Sequence, residues 1–355
     1  MGNEQNPNNG NEQGGQGNGG DYIEVNEISG GTVAIGREAQ AIGTFIEHME
    51  KTAVAGDYVD RREITNIILI SGSDGLDELT ERLVNEQGLS IQIVRDPGAH
   101  LLSEQADRQI EEVLAAQRET AVKGVSASPE ASYRLGILAA YRRDYEVAIT
   151  YFQEAGNADP DYSDAFEAIA WLQQSLAMKH LDQQDYDGAL DRLAKARTAA
   201  RHTNPLDLQA LALRGYIAKT LAQIADRRQD PAGRSKYYAE AASLFEHIVM
   251  LDPDNASAHN GLANVFLEAG NIDAAIASSL QALALAPHYT AAHHDLALAY
   301  EAKWRQEPEQ GAQWCALALA AWREAYHLAP DDPGFTADRI LKIGQQIRRL
   351  EQNCG

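Results

Sequence analysis

The stretch "LFEHIVMLDPDN", residues 244–255, decides how the rest of the chain is read. It returns in altered form as "YFQEAGNADPDY" at 151–162, "SSLQALALAPHY" at 278–289 and "AWREAYHLAPDD" at 321–332. The second position holds Phe152, Phe245, Ser279 or Trp322, and the fifth holds Ala155, Ile248, Ala282 or Ala325. The tenth is Pro160, Pro253, Pro287 or Pro330. Four residues before each second position stands an alanine: Ala148, Ala241, Ala275 or Ala318. Every copy therefore has the form A-x3-[FSW]-x2-[AI]-x4-P. An apolar-periodic run closed by proline describes a helix end, because proline cannot continue a helix and biases its predecessor out of one. Small residues one turn apart let two helices approach closely.

A second amphipathic run precedes the blocks. It reads "HNGLANVF" with His259, Leu262, Ala263 and Phe266, "SYRLGILA" with Leu135-Gly136, and "HDLALAY" with Leu296, Ala297 and Tyr300. The unit is thus two helices, and the block at 278 follows the block at 244 by 34 residues. This pattern resembles the tetratricopeptide repeat family, whose helix–turn–helix unit has that period. The resemblance runs from residue 129 to about residue 352. A degenerate copy, "DYDGALDRLAKARTAA", puts Ala189, Leu193 and Ala196 at the repeat positions, with Pro205 late. Five repeats follow: 129–162, 163–205, 206–255, 256–289 and 290–332. The second and third have lengthened first helices, and "RQDPAGRSK" (228–236) is expected to be a loop between the helices of the third.

Helix boundaries agree with capping chemistry. Ser128-Pro129 supplies an N-cap followed by proline at the first helical position. Asp144, Asp185 and Asn271 stand where second helices start. In 333–355, Ile340, Ile343, Ile347 and Leu350 share one face, as expected of a terminal helix that covers a solenoid's last apolar surface. The expected fold is mainly α, a solenoid of helical hairpins carrying a small N-terminal α/β module.

That module occupies 21–124. "GDYVDRREITNIILI" and "LSIQIVRD" (89–96) suggest strands, while "GLDELTERLVNEQG" and "SEQADRQIEEVLAAQRETA" suggest helices. Its phrase "GGTVAIGREAQAIG…GDYVDRREITN" resembles glycine-punctuated segments found ahead of effector modules in bacterial signalling and conflict proteins. Residues 1–20 are rich in Gly, Asn and Gln and are expected to be disordered.

Composition narrows the function. The formal net charge is −22, which repels phosphate backbones and argues against general nucleic-acid binding. Apolar residues make up 44% of the 355, without an apolar run long enough to span a membrane. No secretory leader is visible, so a cytoplasmic protein is expected. Two cysteines are too few for a disulfide framework or a cysteine zinc site.

The search for chemistry is mostly negative. "SGSDG" (71–75) stands where a phosphate site would stand, but the phosphate-loop lysine and glycine spacing are missing. A plain strand–helix turn capped by Ser73 or Asp74 is the preferred reading. His293 and His294 point about 100° apart on a helix and cannot chelate one ion together. Cys315, in "QWCALALAAW", reads as a buried inert thiol rather than a nucleophile. No catalytic, metal or cofactor site is expected.

What remains is binding. The family resemblance implies that first helices line a concave groove. Transferred here, the groove residues are Tyr133, Ile137 and Tyr141 in repeat one, Asn260, Asn264 and Glu268 in repeat four, and His294, Leu298 and Glu301 in repeat five. Members that capture a terminal carboxylate do so with a basic clamp. Tyr133, Asn260 and His294 occupy the fifth positions here, which argues against that mode. The expected function is a non-enzymatic adaptor for a protein or peptide partner. Two rivals stay open: a regulatory subunit of a bacterial signalling or defence system, and an enzyme with a degenerate nucleotide-binding or hydrolase module in 21–124.

Overall fold

The computed structural model describes residues 72–95, 102–122, 126–332 and 334–354. All of them belong to one compact unit, Ile70–Gly355. The leader expected to be disordered, and every element expected before residue 72, lie outside the described residues. Fourteen α-helices are found among the described residues. Three precede the repeats: α1 Gly72–Glu86, α2 Gln92–Arg95 and α3 Glu104–Val122. Ten form consecutive hairpins: α4 Pro129–Tyr141 with α5 Tyr145–Ala158, α6 Ser163–Asp182 with α7 Tyr186–Ala199, and α8 Leu208–Arg227 with α9 Pro231–Leu251. Then come α10 Ala256–Ala269 with α11 Ile272–Leu285, and α12 Thr290–Gln306 with α13 Gly311–Leu328. The last helix is α14, Ala337–Asn353.

The repeated positions are the packing positions. Ala148, Ala241, Ala275 and Ala318 are buried, as are Phe152, Phe245, Ser279 and Trp322. So are Ala189, Leu193 and Ala196 of the degenerate copy. The large ring at the second position works because its neighbours are small. A Cβ added at Gly261 of α10 would lie 2.5 Å from the Phe245 ring, and one at Gly215 of α8 would lie 2.8 Å from it. Phe245 thus joins its own hairpin to the next, through close approaches that only glycine permits.

The turns inside the first four hairpins share one backbone solution. Arg143, Gln184, Gln229 and Gly270 are left-handed, with φ of 63°, 61°, 58° and 92°. Each directly precedes the N-cap of a second helix: Asp144, Asp185, Asp230 and Asn271. The Asp185 side chain accepts from Gly188 N, and Asp230 accepts from Gly233 N. Between repeats, His259 Nε2 donates to the Pro253 carbonyl at 3.0 Å, and His293 Nε2 does the same to Pro287 at 2.9 Å. Ser128 caps α4 by accepting from Ala131 N, with Pro129 next, as the sequence predicts.

Five expectations need correction, the last of them at Cys315. No strand is found among the described residues of 72–122, so the α/β module is not supported there. The described part of "LSIQIVRD", residues 89–95, forms a turn and the short helix α2, because Ile93 and Val94 are both buried, at 1% exposure each. A strand would turn adjacent side chains to opposite faces. Ser73 and Asp74 lie within α1, so they do not form a turn ahead of it. Most of "RQDPAGRSK" is helical: Asp230 caps α9 and Pro231 occupies its first turn, leaving only 228–230 to connect α8 and α9.

Cys315 is not a free thiol. It is bonded to Cys354, which follows α14, with the two Cα atoms 5.7 Å apart. The helix it fastens buries Ile343 and Leu350, with Ile340 and Ile347 packed at the margin of the same core. Alternation of apolar and basic residues explains the face presented by α14, and the disulfide explains why its far end stays down.

Candidate functional site

The first helices α6, α8, α10 and α12 contact one another in order, and polar side chains lace them together. Gln174 of α6 donates to Thr220 of α8 at 3.4 Å. Lys219 of α8 reaches Asn264 Oδ1 of α10 at 2.7 Å and Glu268 at 3.5 Å. Gln223 Nε2 donates to both oxygens of Glu268, at 3.0 and 2.8 Å. Asn260 and Asn264 donate from their amide nitrogens to Asp295 Oδ2 of α12, at 3.3 and 3.2 Å. His294 Nδ1 donates to the other oxygen of Asp295 at 3.0 Å.

This is where most of the predicted residues lie, and they fall into three groups. Asn260, Asn264, Glu268 and His294 are brought together in the network around Asp295 and Lys219. Leu298 is half-buried at the edge of the C-terminal core. Glu301 is 1% exposed and fully engaged: it accepts from Trp322 Nε1 at 2.7 Å and pairs with Arg349 and Arg305. Its role is internal. Tyr133, Ile137 and Tyr141 lie apart from these, at the other end of the array. The Tyr133 ring packs against Phe152 and Tyr162, and burial followed by nearby carboxylates pushes its hydroxyl well above the ordinary tyrosine range. Ile137 and Tyr141 are buried in the core that includes Ile93 and Val94.

Sequence reasoning missed Asp295, Lys219 and Gln223. Asp295 sits next to His294 inside the quoted "HDLALAY", and its charge in an otherwise apolar stretch was the available signal. Two amide oxygens on this face, Asn260 Oδ1 and Gln223 Oε1, are buried and receive no donor. Buried amide oxygens are rarely left so. Around Lys219 the two carboxylates of Glu268 and Asp295 leave the face with an acidic excess.

Among the described residues, no group of three or more His, Cys, Asp or Glu side chains is arranged to hold a metal ion. No described helix is long and apolar enough to cross a membrane.

Residues 234–278, which take in most of α9, all of α10 and half of α11, match the family model for the tetratricopeptide repeat. Among solved structures, the chain is similar to a thermophilic tetratricopeptide repeat protein of Thermus thermophilus. The two are 22% identical, over 63% of this chain and 99% of that one, with a TM-score of 0.45. It is similar to MamA at 17% identity over 56% of this chain and 95% of that one, TM-score 0.34. It is also similar to the human IFIT1 dimer with m7Gppp-AAAA, at 17% identity over 81% and 74% of the two chains, TM-score 0.42. No curated protein matches the chain. The matched segment carries Ala241, Phe245, Ile248 and Ala275 in the core, and the hairpins on either side bury the same positions; residues 234–278 are thus a tetratricopeptide repeat, set in an array of similar helical hairpins.

Proposed function

We propose that the protein is a non-enzymatic adaptor that holds an extended segment of a partner protein against the first-helix face of α8, α10 and α12. The observation that carries this reading is the polar first-helix face itself, where Asn264, Glu268 and His294 stand half-buried on two consecutive first helices and are held in place by Lys219, Gln223 and Asp295. A peptide backbone presents N–H donors and C=O acceptors at regular spacing, which side-chain amides, carboxylates and imidazoles fixed on such a face can meet. Leu298, also half-buried, adds apolar contact surface beside them. The acidic excess favours a neutral or basic segment and weighs against nucleic acid. Residues 125–332 carry the repeats in this reading, and 333–355 close them.

The test is to capture partners with the full chain and measure the affinity of the best one. Leu298→Asp should weaken it about tenfold or more, since it puts a charge into the apolar margin of the face. Arg197→Ala, on the second-helix side, should leave it unchanged. If Arg197 matters and Leu298 does not, the partner binds elsewhere. Nucleotides at millimolar concentration should give no heat of binding; saturable binding would restore the enzymatic rival.

A further inference from the structure

The N-terminal end of the same face is already filled. Helix α2 packs against both α4 and α6, the first helices of the first two hairpins. Ile93 and Val94 are 1% exposed each and belong to one core with Ile137, Tyr141 and Trp171. Ser90 N donates to the Tyr141 hydroxyl at 2.8 Å, a backbone contact of the kind a bound peptide makes. Arg95 Nη2 donates to Glu167 Oε1 at 2.6 Å, and Trp171 Nε1 holds the same oxygen at 3.3 Å. Arg95 Nε is buried and has no acceptor, so the guanidinium is only half used. Ile137 and Tyr141 are the repeat-one residues that the family resemblance marks for partner contact. Here they are covered by the chain itself.

We propose that the first two hairpins form a peptide subsite for two adjacent aliphatic residues followed by an arginine, and that Ile93-Val94-Arg95 fills it in cis. A partner segment of that chemistry must displace residues 90–95 to bind. The proposal rests on the adaptor reading, because it assigns the first-helix face to peptides. The chemistry is set by what the subsite offers: an apolar wall from Ile137, Tyr141 and Trp171, and one carboxylate, Glu167, at its end. A tethered occupant competes at high effective concentration, so the subsite of the intact chain is closed to weak ligands.

The probe is a fluorescein-labelled peptide copying residues 88–95, GLSIQIVR, followed by anisotropy with the full chain. Ile93→Asp with Val94→Asp ejects the resident segment, and this variant should bind the probe at least about tenfold more tightly than the unaltered chain. Adding Glu167→Lys should abolish that binding, and a probe with glutamate in place of its arginine should restore it. Circular dichroism must show unchanged helix content; a folded variant that ignores the probe overturns the proposal, as does equal binding by variant and unaltered chain. Should the double variant fail to fold, Arg95→Glu alone breaks the pair with Glu167 without placing a charge in the core. It should bind the probe at least about threefold more tightly than the unaltered chain, and no gain overturns the proposal. If the probe fails while partner affinity still depends on Leu298, the cis occupancy falls and the adaptor reading stands. If the probe behaves as expected while Leu298 has no effect, the placement on α8, α10 and α12 falls instead.

Discussion

Glu301 of α12 accepts the indole N–H of Trp322 of α13 at 2.7 Å, and its side chain is 2% exposed. The same carboxylate reaches Arg349 of α14, so one residue ties the last hairpin to the terminal helix. Glu301→Ala leaves a buried indole donor without an acceptor and should destabilise the fold by about 1–3 kcal/mol. The arginines are substantially exposed and add little to that figure. Glu301→Gln keeps an acceptor for the indole and should lose less. Urea unfolding of both variants checks the order, and an alanine variant as stable as the parent would remove Glu301 from the structural account.

The Cys315–Cys354 bond closes a loop with a sequence separation of 39. A loop of that size contributes about 3–4 kcal/mol by constraining the unfolded chain. In a solenoid each element answers mainly to its neighbours, so the loss on reduction should be local. Hydrogen exchange with and without a thiol reductant should show α14 amides losing protection while α6 amides keep theirs. Cys354→Ser should reproduce the reduced pattern.

The left-handed residues between paired helices set up a symmetric comparison. Gly270 takes φ 92° at no steric cost, and a Cβ there would meet nothing within 4 Å. Gly270→Ala therefore tests the backbone alone and should cost about 1 kcal/mol. Gln229 takes φ 58° at the equivalent turn, so Gln229→Gly should be neutral or slightly stabilising. Melting temperatures of the two variants should move in opposite directions, or only the first should move.

Tyrosines govern the alkaline limit. Burial pushes the hydroxyls of Tyr133, Tyr216 and Tyr238 upward, with nearby acidic groups reinforcing it, and Tyr162 is pushed up to about 12. A raised value in the fold means stability that is intact below the unfolded tyrosine range, about pH 10, and lost as pH rises through the folded values. Tyrosinate absorbance from these residues should appear together with loss of the helical dichroism signal. Absorbance that climbs fully at pH 10 in a still-helical protein would contradict the burial assigned to them.

Much of the array was legible because its cause is periodic. Ala241, Phe245, Ile248 and Pro253 recur at fixed spacing, since each hairpin meets its neighbours the same way. Asp185 and Ser128 announce helix starts by side-chain chemistry that acts within three residues. The misread elements answer to distant contacts. The alternation in Ile91-Gln92-Ile93 imitates a strand, but Val94 is also buried, against helices some forty to eighty residues away, and that decides for a helical turn. The repeat frame puts Asn260 and Asn264 on one helix face, and both donate to the same oxygen of Asp295. Their partner Asp295 lies in the next repeat, so the network they form was invisible to spacing alone. The pairing of Cys315 with Cys354 depends on where α14 lands, which two cysteines in a sequence do not specify.

The fastening of Cys354 to Cys315 also fixes how the molecule responds to force. A chain pulled by its two ends under oxidising conditions cannot extend through the cross-linked loop. Thirty-nine residues at roughly 3.4 Å each place about 130 Å of contour beyond reach of the load. Tension then passes across the sulfur bridge from α13 directly to the C-terminus. The terminal helix carries none of it, and α14 would remain tied to the looped part of α13 after the first four hairpins had been drawn out.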